Sequence, residues 1–323
     1  MNNSQYVSVA LCTYNGSKYI EEQIKSILNQ TRPVDEIIIC DDGSKDTTVN
    51  IASRMLSNSK CDKVIEINEK NFGTSKNFEK AISLCNGDII FLCDQDDIWM
   101  PLKVERVLKV FENKPQVGLI FSDAELVDSS LHNLGATLWR TVGVSKRFIR
   151  LIDTGHAVDV LLHHTVVTGA TCAFRSKYTS KILPIPCEWV HDSWIAFIIS
   201  AYASITAIPE KLILYRQHSS QQIGAKLKQE SIEIMTGSKK RDYLRLINEL
   251  RLAYKRLSDD KQEIDEKLLW LIAEKIEHVK KRTDMPRGWA ARTKIIAEET
   301  ITGRYCKFSS GIFSILKDLF SHS

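Results

Sequence analysis

The chain has 323 residues, of which 43% are hydrophobic and 26% are charged, as expected of a globular protein with one large domain or two ordinary ones. A net charge of +4 is too small to indicate nucleic acid as a partner, and none is expected. The charge is uneven, since residues 1–225 carry a net charge of −2 and residues 226–323 one of +6. We therefore predict two domains, 1–225 and 226–323, of which the second is basic.

The cysteines and the apolar segments bear on the cellular compartment. Eight cysteines occur without a C-x-x-C pair, and several of them stand in apolar, strand-like segments, where a reduced cysteine acts as a small hydrophobic residue. The polar N-terminus lacks a signal-peptide core, and the most apolar stretch, Trp194–Ile208, is too short and too interrupted to span a bilayer. These features favour the reducing cytoplasm.

Strand-like and helix-like segments alternate in the first part of the chain. The predicted strands are Val7–Cys12, Glu36–Cys40, Lys63–Ile67, Asp88–Cys93 and Val117–Phe121. The predicted helices are Lys18–Asn29, Thr47–Leu56, Ser75–Leu84 and Pro101–Phe111. This alternation, with strands that are almost continuously apolar, predicts an α/β fold with a Rossmann-like, mostly parallel sheet and helices on both faces.

The later segments are less regular. Trp194–Ile208 is predicted to be a buried helix that leads into a strand. Residues 226–307 are rich in Leu, Lys and Glu, and they predict a C-terminal helical region closed by a short amphipathic segment.

Polar residues follow the predicted strands at their carboxyl ends, where open α/β sheets bind ligands. Thr13–Gly16, Asp41–Ser44, Asn71–Gly73 and Asp94–Asp97 all stand at such ends. In the last of these segments three carboxylates occur within four positions. Because carboxylates repel each other and are costly to desolvate, this cluster indicates a divalent cation, Mg²⁺ or Mn²⁺, that also holds a substrate phosphate. A solvated acidic loop is the alternative.

Two common phosphate-binding motifs are missing from the sequence. It contains no G-x-G and no G-x-x-x-x-G-K, so a dehydrogenase or a P-loop NTPase is not expected. A nucleotide site built from carboxylates and a metal ion remains.

The motifs resemble those of the family 2 glycosyltransferases, which have the GT-A fold. The resemblance rests on Val7–Gly16, Ile27–Thr31, Asp41–Ser44 and Asp94–Asp97. Three later segments are similar to those of the subgroup that includes bacterial polysaccharide rhamnosyltransferases, namely Thr168-Gly169, His191–Trp194 and Tyr215–His218. The resemblance fades after Ala225.

The resemblance implies a nucleotide site and a metal site. The implied nucleotide-binding residues are Thr13, Tyr14, Asn15, Asp42, Asn71, Asp94 and Gln95. Asp42 would accept a hydrogen bond from the pyrimidine N3–H, which favours uracil or thymine over cytosine. Asp94 and Asp96 would form the D-x-D metal element, and His218 would contact the metal or the diphosphate.

The resemblance also implies the catalytic and sugar-binding residues. Asp192 would be the general base, and this chain has His191 where the family has Glu. The implied acceptor or donor sugar contacts are Asp97, Trp99, Gly169, His191 and Trp194. Several residues of these motifs also have a purely structural interpretation. Asp41 and Ser44 are common turn residues, and Asn71 and Asn77 can hold a turn and a helix end.

The implied reaction is an inverting, metal-dependent transfer of a sugar from a nucleotide diphosphate sugar, with dTDP-L-rhamnose the first candidate, to a glycan of a bacterial surface polysaccharide. A single displacement needs no covalent intermediate. A UDP-hexose or UDP-N-acetylhexosamine transferase of the same fold, a sugar nucleotidyltransferase and an inactive membrane-bound scaffold are the alternatives.

The C-terminal segment is basic and then amphipathic. Residues 280–307 contain eight Lys or Arg residues and three acidic residues, and an apolar stripe runs from Ile312 to Phe320. This pattern fits an anionic membrane surface, which would place the enzyme peripherally on the inner face of the cell membrane, near a lipid-linked acceptor. A tail packed on its own domain, or on a second subunit in a homo-oligomer, fits equally well.

Overall fold

The computed structural model describes residues 5–218, 239–260, 262–286 and 288–320. These residues form two compact units, one of residues 5–161 and 165–218 and the other of residues 162–164 and the described residues from 239 on. The boundary predicted at residue 225 lies outside the described residues and stays a prediction. Among the described helices, none combines the length and the apolar character that crossing a bilayer requires.

The first unit follows the predicted alternation of strands and helices. Its first elements are β1 (Val7–Thr13), α1 (Ile20–Leu28), β2 (Glu36–Asp41), α2 (Thr48–Leu56), β3 (Asp62–Ile67), α3 (Thr74–Leu84), β4 (Ile89–Asp94), β5 (Ile98–Trp99), α4 (Lys103–Asn113) and β6 (Val117–Val127). The elements after them are β7 (Asn133–Thr137), α5 (Leu138–Val142), α6 (Lys146–Asp153), α7 (Ala157–Leu161), β8 (Cys172–Arg175), α8 (Thr179–Ile182), α9 (His191–Tyr202) and β9 (Ser204–Arg216).

The described strands form one mixed sheet in the order β3-β2-β1-β4-β8-β6-β9-β5, with β7 paired to β6. Strands β1 to β4, β6 and β9 run in one direction, while β5, β7 and β8 run in the other. The predicted α/β class and the mostly parallel sheet are confirmed. The sequence analysis did not anticipate β8, which inserts antiparallel between β4 and β6.

The two faces of the sheet are covered by different helices. Side chains alternate between the faces of a strand, so Val9 and Phe91 join one buried cluster with residues of α1, α2 and α4. Helix α3 contacts β1 and β2, and its buried Phe78 and Ile82 lie outside that cluster. Helices therefore cover both faces of the sheet, and the carboxyl ends of the strands are the expected place for a ligand.

The parallel register brings the predicted motifs together at one edge. Thr13 pairs with Asp41 of β2, and Cys12 pairs with Asp94 of β4. The loops after β1, β2 and β4 therefore begin side by side, as the sequence predicted.

Side-chain clamps join these loops. Gln95 Nε2 donates to the Tyr14 carbonyl at 3.0 Å, and the Tyr14 amide donates to Gln95 Oε1 at 2.8 Å. Asn15 has a left-handed backbone (φ 48°), and its side-chain oxygen accepts the Lys45 amide at 2.8 Å. Asn tolerates this conformation better than most residues do, so these contacts fix the edge before any ligand is present.

The second unit is helical, as predicted for residues beyond 226. Its described helices are α10 (Lys239–Ser258), α11 (Glu266–Thr283), α12 (Trp289–Ile301), α13 (Arg304–Phe308) and α14 (Ile312–Phe320). A polar network lies inside it. The fully buried His278 Nδ1 and Glu299 Oε2 are 2.7 Å apart, and Glu299 also pairs with Lys281 and Arg304.

Helix α14 is oriented with its polar side inward. Ser314 and Asp318 are buried, and Asp318 pairs with Arg282 at 2.6 Å. The exposed side chains of this helix include Ile312, Phe313, Leu316 and Phe320, of which Phe313 is 75% exposed. The apolar stripe seen in the sequence thus lies on the outside of the unit.

We predict that Gly16→Ala destabilises the first unit. A Cβ at residue 16 would lie 2.0 Å from Gln95 Oε1, so Gln95 would have to move and release its two hydrogen bonds to Tyr14. The expected loss in the free energy of unfolding is about 1–3 kcal/mol, measured by urea denaturation.

Asn58→Ala, at an exposed position of the same unit, is the control for this substitution. If Gly16→Ala were as stable as this control, the hydrogen bonds of Gln95 to Tyr14 would contribute nothing to stability.

Candidate active site

A cavity of about 430 Å³ opens at the carboxyl edge of the sheet. It is large enough for a small-molecule ligand. Its walls come from the loops after β1, β2 and β4, from the start of α9 and from the end of β9. Among the residues predicted for the site, those that line it are Thr13, Tyr14, Asn15, Asp42, Asp94, Gln95, Asp96, Gly169, His191, Asp192 and His218.

Asp41 and Asp42 have different roles in the loop after β2. Asp41 is fully buried, and it accepts hydrogen bonds from the Thr13 hydroxyl at 2.7 Å and from the backbone and hydroxyl of Ser44. It therefore holds the turn. Asp42 lines the cavity, and its carboxylate accepts the Phe72 and Gly73 amides at 2.9 Å.

Asn68 and Asn77 support Asp42 from behind. Asn68 Nδ2 donates to Asp42 Oδ1 at 2.9 Å and to Asn77 Oδ1 at 3.0 Å. Asn77 Nδ2 in turn donates to the Cys40 carbonyl at 2.7 Å. Within the part of the chain that the structure describes, Asp42 Oδ2 accepts one donor, the Gly73 amide, and it retains the capacity to accept another.

Asp94 lies in a strongly negative environment. Burial, together with the nearby carboxylates of Asp96 and Asp192, raises the pKa of Asp94 to about 7, and the Lys103 ammonium acts in the opposite direction. A cation bound at this point would favour the ionised form again. Without a bound cation, Asp94 is therefore only partly ionised near pH 7.

Asp96 is joined to the end of β9. Its Oδ2 lies 2.8 Å from His218 Nε2, and both side chains are mostly buried. Arg216 holds this region in place, because its Nε donates to the Asp96 carbonyl at 2.7 Å and its guanidinium lies 4.6 Å from the centre of the Tyr19 ring. Asp96 and His218, two of the three residues expected at the metal, are thus brought together from positions 122 residues apart in the chain.

The residues fit a divalent cation in part. Asp96 and His218 meet in the cavity, and Asp94 lines the same cavity. No group of three or more His, Cys, Asp or Glu side chains within the described residues is arranged to hold a metal ion. One carboxylate and one imidazole leave several positions for oxygens of a diphosphate, and imidazole among the ligands suits Mn²⁺ better than Mg²⁺.

Asp192 stands in the first turn of α9 and lines the cavity. Its Oδ2 accepts the Gly169 amide at 2.9 Å, and its Oδ1 accepts the Ser193 amide at 2.6 Å. These two donors fix the carboxylate, and the start of the helix favours its negative charge. Oδ1 also accepts the Ser193 hydroxyl at 3.2 Å, so Oδ2, with one donor among the described residues, is the better placed oxygen to accept a proton.

His191 is 4% exposed and lines the cavity beside Asp192. Its ring is stacked on Phe78 of α3, with the ring centres 4.0 Å apart. Burial lowers the pKa of His191, and the charge of Asp192 opposes this shift.

The structure does not bring four of the predicted residues to the cavity. Trp99 and Trp194 are 2% and 0% exposed and lie in the core, where the Trp194 ring donates to the Ile182 carbonyl at 2.7 Å. Asp97 is buried and accepts the Arg216 amide, while Asn71 accepts the Gly73 amide and holds a turn. The geometry gives no support to sugar contacts by Asp97, Trp99 and Trp194 or to a nucleotide contact by Asn71.

Two charged residues near the site were missed by the sequence analysis. Lys103 is fully buried on α4, its Nζ lies 4.0 Å from the centre of the Trp99 ring, and it donates to the Ala170 carbonyl at 2.7 Å. Arg216 is 2% exposed and reaches Asp96 and Glu22. The signal for Lys103 was its position on the apolar side of a helix, and the signal for Arg216 was its place in the Tyr215–His218 motif.

The comparisons with known proteins agree on one family. The family model described as "Glycosyl transferase family 2" matches residues 8–181. An uncharacterized glycosyltransferase of Nostoc sp. is 26% identical over 218 residues, which is 66% of this chain and 65% of that protein.

Two solved structures show a similar fold. S. aureus TarS 1–349, solved in complex with UDP-GlcNAc, has a TM-score of 0.59 at 16% identity, and the match covers 97% of this chain and 81% of that one. The mannosyltransferase PcManGT from Pyrobaculum calidifontis, solved with GDP-Man and Mn²⁺, has a TM-score of 0.53 at 14% identity and covers 100% and 89%. These likenesses confirm the predicted GT-A fold. Because the family model spans more than half of the chain, from β1 through α8, the protein belongs to glycosyl transferase family 2.

Proposed function

We propose that this protein transfers a sugar from a nucleotide diphosphate sugar to a hydroxyl of a glycan, with inversion at the anomeric carbon and with a divalent cation. The observation that carries the proposal is that one cavity contains both the Asp96–His218 pair and Asp192. The first group suits a leaving diphosphate, and the second suits the activation of an attacking hydroxyl.

The nucleotide is proposed to bind over the loops after β1 and β2. Thr13, Tyr14 and Asn15 line this part of the cavity, and Asp42 presents an oxygen that can accept the N3–H of uracil or thymine. TarS was solved with UDP-GlcNAc and PcManGT with GDP-Man, which supports a nucleotide sugar as the donor class. The resemblance to rhamnosyltransferases makes dTDP-L-rhamnose the first donor to test, followed by UDP-hexoses and UDP-N-acetylhexosamines.

Asp96 and His218 are the residues that would hold the cation, with Asp94 beside them. When bound, Mg²⁺ or Mn²⁺ would supply positive charge that stabilises the departing diphosphate. PcManGT was solved with Mn²⁺, which supports a metal requirement here. Arg216 keeps the Asp96 backbone and the end of β9 together, so it positions this pair without contacting a substrate.

Asp192 is the proposed general base. The amides of Gly169 and Ser193 hold its carboxylate in one orientation, so Oδ2 can accept the proton of the acceptor hydroxyl as that oxygen attacks the anomeric carbon. The transition state resembles an oxocarbenium ion, and attack from the face opposite the diphosphate inverts the configuration. The cysteines and serines of the site have no nucleophilic role in this scheme.

A lipid-linked glycan at the inner face of the cell membrane is the proposed acceptor. The support is the outward apolar face of α14, beside which Lys317 is also exposed. The structure changes the electrostatic part of this proposal. Of the eight cations counted in residues 280–307, Lys281, Arg282 and Arg304 pair with acidic residues inside the second unit, and Arg292 is buried.

Arg287, another of the eight, lies outside the described residues, and Lys280, Lys294 and Lys307 are exposed. Membrane attraction is therefore proposed to depend on apolar insertion first and on charge second. Since α12 to α14 also supply partners for buried residues of α11, deleting residues 280–323 would unfold the unit, and point substitutions are the cleaner test.

The function is tested with a panel of dTDP-L-rhamnose, UDP-hexoses, UDP-N-acetylhexosamines and GDP-mannose, measured with and without Mn²⁺. We expect metal-dependent release of the nucleoside diphosphate from one of them, with water as acceptor if no glycan is supplied. An inactive scaffold would release none.

Asp96→Asn should abolish turnover and weaken metal-dependent nucleotide binding. Removing one ligand charge is expected to cost several kcal/mol of leaving-group stabilisation. Calorimetric titration of the nucleoside diphosphate with and without Mn²⁺ gives the binding term. Asp153→Asn, at an exposed position of α6, is the control, and normal turnover in Asp96→Asn would refute the metal assignment.

Asp192→Asn should lose turnover by roughly 10²–10⁴-fold with little change in donor affinity, because Asn keeps the shape but cannot accept the proton. Single-turnover rates and equilibrium donor binding separate the two effects. Asp159→Asn, which also stands in the first turn of a helix, is the matched control. A collapse of donor affinity would make Asp192 a donor-binding residue instead.

Phe313→Ser combined with Phe320→Ser should reduce co-sedimentation with vesicles of phosphatidylglycerol and phosphatidylcholine. Both rings are more than 70% exposed, so folding should not suffer. Phe72→Ser, at a half-exposed position of the first unit, is the control. Raising the salt concentration should weaken binding only in part, and a wild-type protein that ignores these vesicles at low salt would contradict the proposal.

A further inference from the structure

Lys103 is a buried cation on α4 to which the proposed reaction gives no role. The side chain is fully buried, although an ammonium that leaves water loses a large hydration free energy. Burial lowers the pKa of Lys103 to about 8, so most molecules still carry the charge at pH 7. A charge kept in the interior at this cost needs close partners, and those partners indicate what the side chain holds.

The direct partners of Lys103 are a backbone carbonyl and an aromatic ring. Its Nζ donates to the Ala170 carbonyl at 2.7 Å and lies 4.0 Å from the centre of the Trp99 ring. Asp94 and Asp97 attract the ammonium through their charges at longer range. The Ala170 carbonyl is therefore the group that Lys103 fixes directly.

The Ala170 carbonyl belongs to a short turn, Thr168–Thr171, that leads into β8. The Thr171 hydroxyl donates to the Thr168 carbonyl at 2.8 Å, and the Thr171 amide donates to the same carbonyl at 3.0 Å. Ala170 and Thr171 are each 1% exposed, so the turn is packed into the interior. Lys103 adds a hydrogen bond to this turn from a different part of the chain.

The same turn contacts the proposed base. The Gly169 amide donates to Asp192 Oδ2 at 2.9 Å, and this oxygen is the one proposed to accept the proton. Gly169 and Ala170 are consecutive, so a turn that shifts to release the Ala170 carbonyl also shifts the Gly169 amide. Lys103 on α4 and Asp192 on α9 are therefore connected through two neighbouring residues.

We propose that Lys103 is a positioning residue for the general base, because its hydrogen bond to the Ala170 carbonyl keeps the Gly169 amide on Asp192 Oδ2. This inference rests on the proposed function. Lys103 does not line the cavity and contacts no substrate in this scheme. Its effect is therefore on the rate of transfer and not on the affinity for the donor, since a small displacement of a base slows proton transfer strongly.

The test separates the hydrogen bond of Lys103 from its charge. Lys103→Met keeps the length of the side chain and removes both, whereas Lys103→Gln removes the charge and keeps an N–H donor one atom short of Nζ. Lys109→Met, at an exposed position of the same helix, is the matched control. Each substitution is made in the wild-type protein and in Asp192→Asn.

Four quantities are compared among these proteins. They are the kcat of transfer with the donor that the nucleotide sugar panel identifies, the calorimetric affinity for its nucleoside diphosphate with Mn²⁺, the urea midpoint, and the hydrogen exchange of the Thr168–Thr171 turn followed by mass spectrometry.

We expect kcat to fall roughly 10–100-fold in Lys103→Met and less in Lys103→Gln, while nucleoside diphosphate affinity stays within about threefold of wild type. In the Asp192→Asn background Lys103→Met should cause no further loss, because residues that act through one group are not additive.

The structural measurements have expected results as well. Hydrogen exchange of the turn should be faster in Lys103→Met than in wild type, because the turn loses one of its fixed points. The urea midpoint should stay close to that of wild type, since an apolar side chain of similar length replaces a buried charge. Lys109→Met should match wild type in all four quantities.

Two results would show that Lys103 acts through its charge on the acidic cluster, and both would overturn the inference. One is an equal loss of kcat in Lys103→Met and Lys103→Gln, and the other is a loss of the same size in the Asp192→Asn background. Unchanged hydrogen exchange of the turn would also overturn it. If neither variant folds, or if both lose stability with a normal kcat per folded molecule, Lys103 is a stability residue only and the inference is wrong.

Failure of the proposed function has a different signature. The wild-type protein would then release no nucleoside diphosphate from any donor. Hydrogen exchange in Lys103→Met would still decide whether Lys103 holds the turn beside Asp192.

Discussion

The mutual repulsion of carboxylates at one edge of the sheet is the constraint on which the site depends. Burial and the neighbouring acids raise the pKa of both Asp94 and Asp97, and a nearby cation opposes this shift. Lys103 does so from α4, although burial lowers its own pKa to about 8. Lys103 also holds the Ala170 carbonyl in the short turn that presents Gly169 to Asp192. One buried ammonium therefore connects the acidic cluster to the proposed base.

The rest of the edge is arranged to resist movement. Gln95 joins the loops after β1 and β4, and Asp41 with Asn15 joins the loops after β1 and β2. Arg216 makes hydrogen bonds to the Asp96 carbonyl and to Glu22 from the end of β9. A site held in this way is preorganised, so less binding energy is spent on ordering it when a substrate arrives.

The interior of the second unit contains buried ion pairs. Glu299 and Asp318 are buried with their partners, and breaking either set would leave an uncompensated charge. The same pairing turns Ser314 and Asp318 of α14 inward and leaves Phe313 and Phe320 outside. Because the polar side chains of α14 face inward, its apolar side chains are exposed and are proposed to contact a bilayer. The membrane proposal therefore depends on insertion more than on charge.

Local sequence patterns were enough to predict most elements of the first unit and the edge of the sheet at which a ligand is proposed to bind. Strands such as Val7–Thr13 are mostly apolar, and parallel strands bring their carboxyl ends to one edge of a sheet, so Asp42, Asp94 and Asp96 are expected to lie together. A position of His218 at the metal or the diphosphate, near Asp94 and Asp96, is implied only by the resemblance to a family, because no local pattern connects residues so far apart in the chain.

Which side chains reach the cavity depends on packing between distant segments and could not be predicted from local patterns. Trp99, Trp194 and Asp97 stand next to site residues in sequence, yet the direction of each side chain depends on what packs around it, and all three lie in the interior. Lys103 and Arg216 are buried cations whose partners come from other segments, so their roles could not be deduced from spacing. The same holds for the antiparallel insertion of β8 and for the polar interior of the second unit, since both depend on contacts between distant parts of the chain, and local sequence patterns do not encode those contacts.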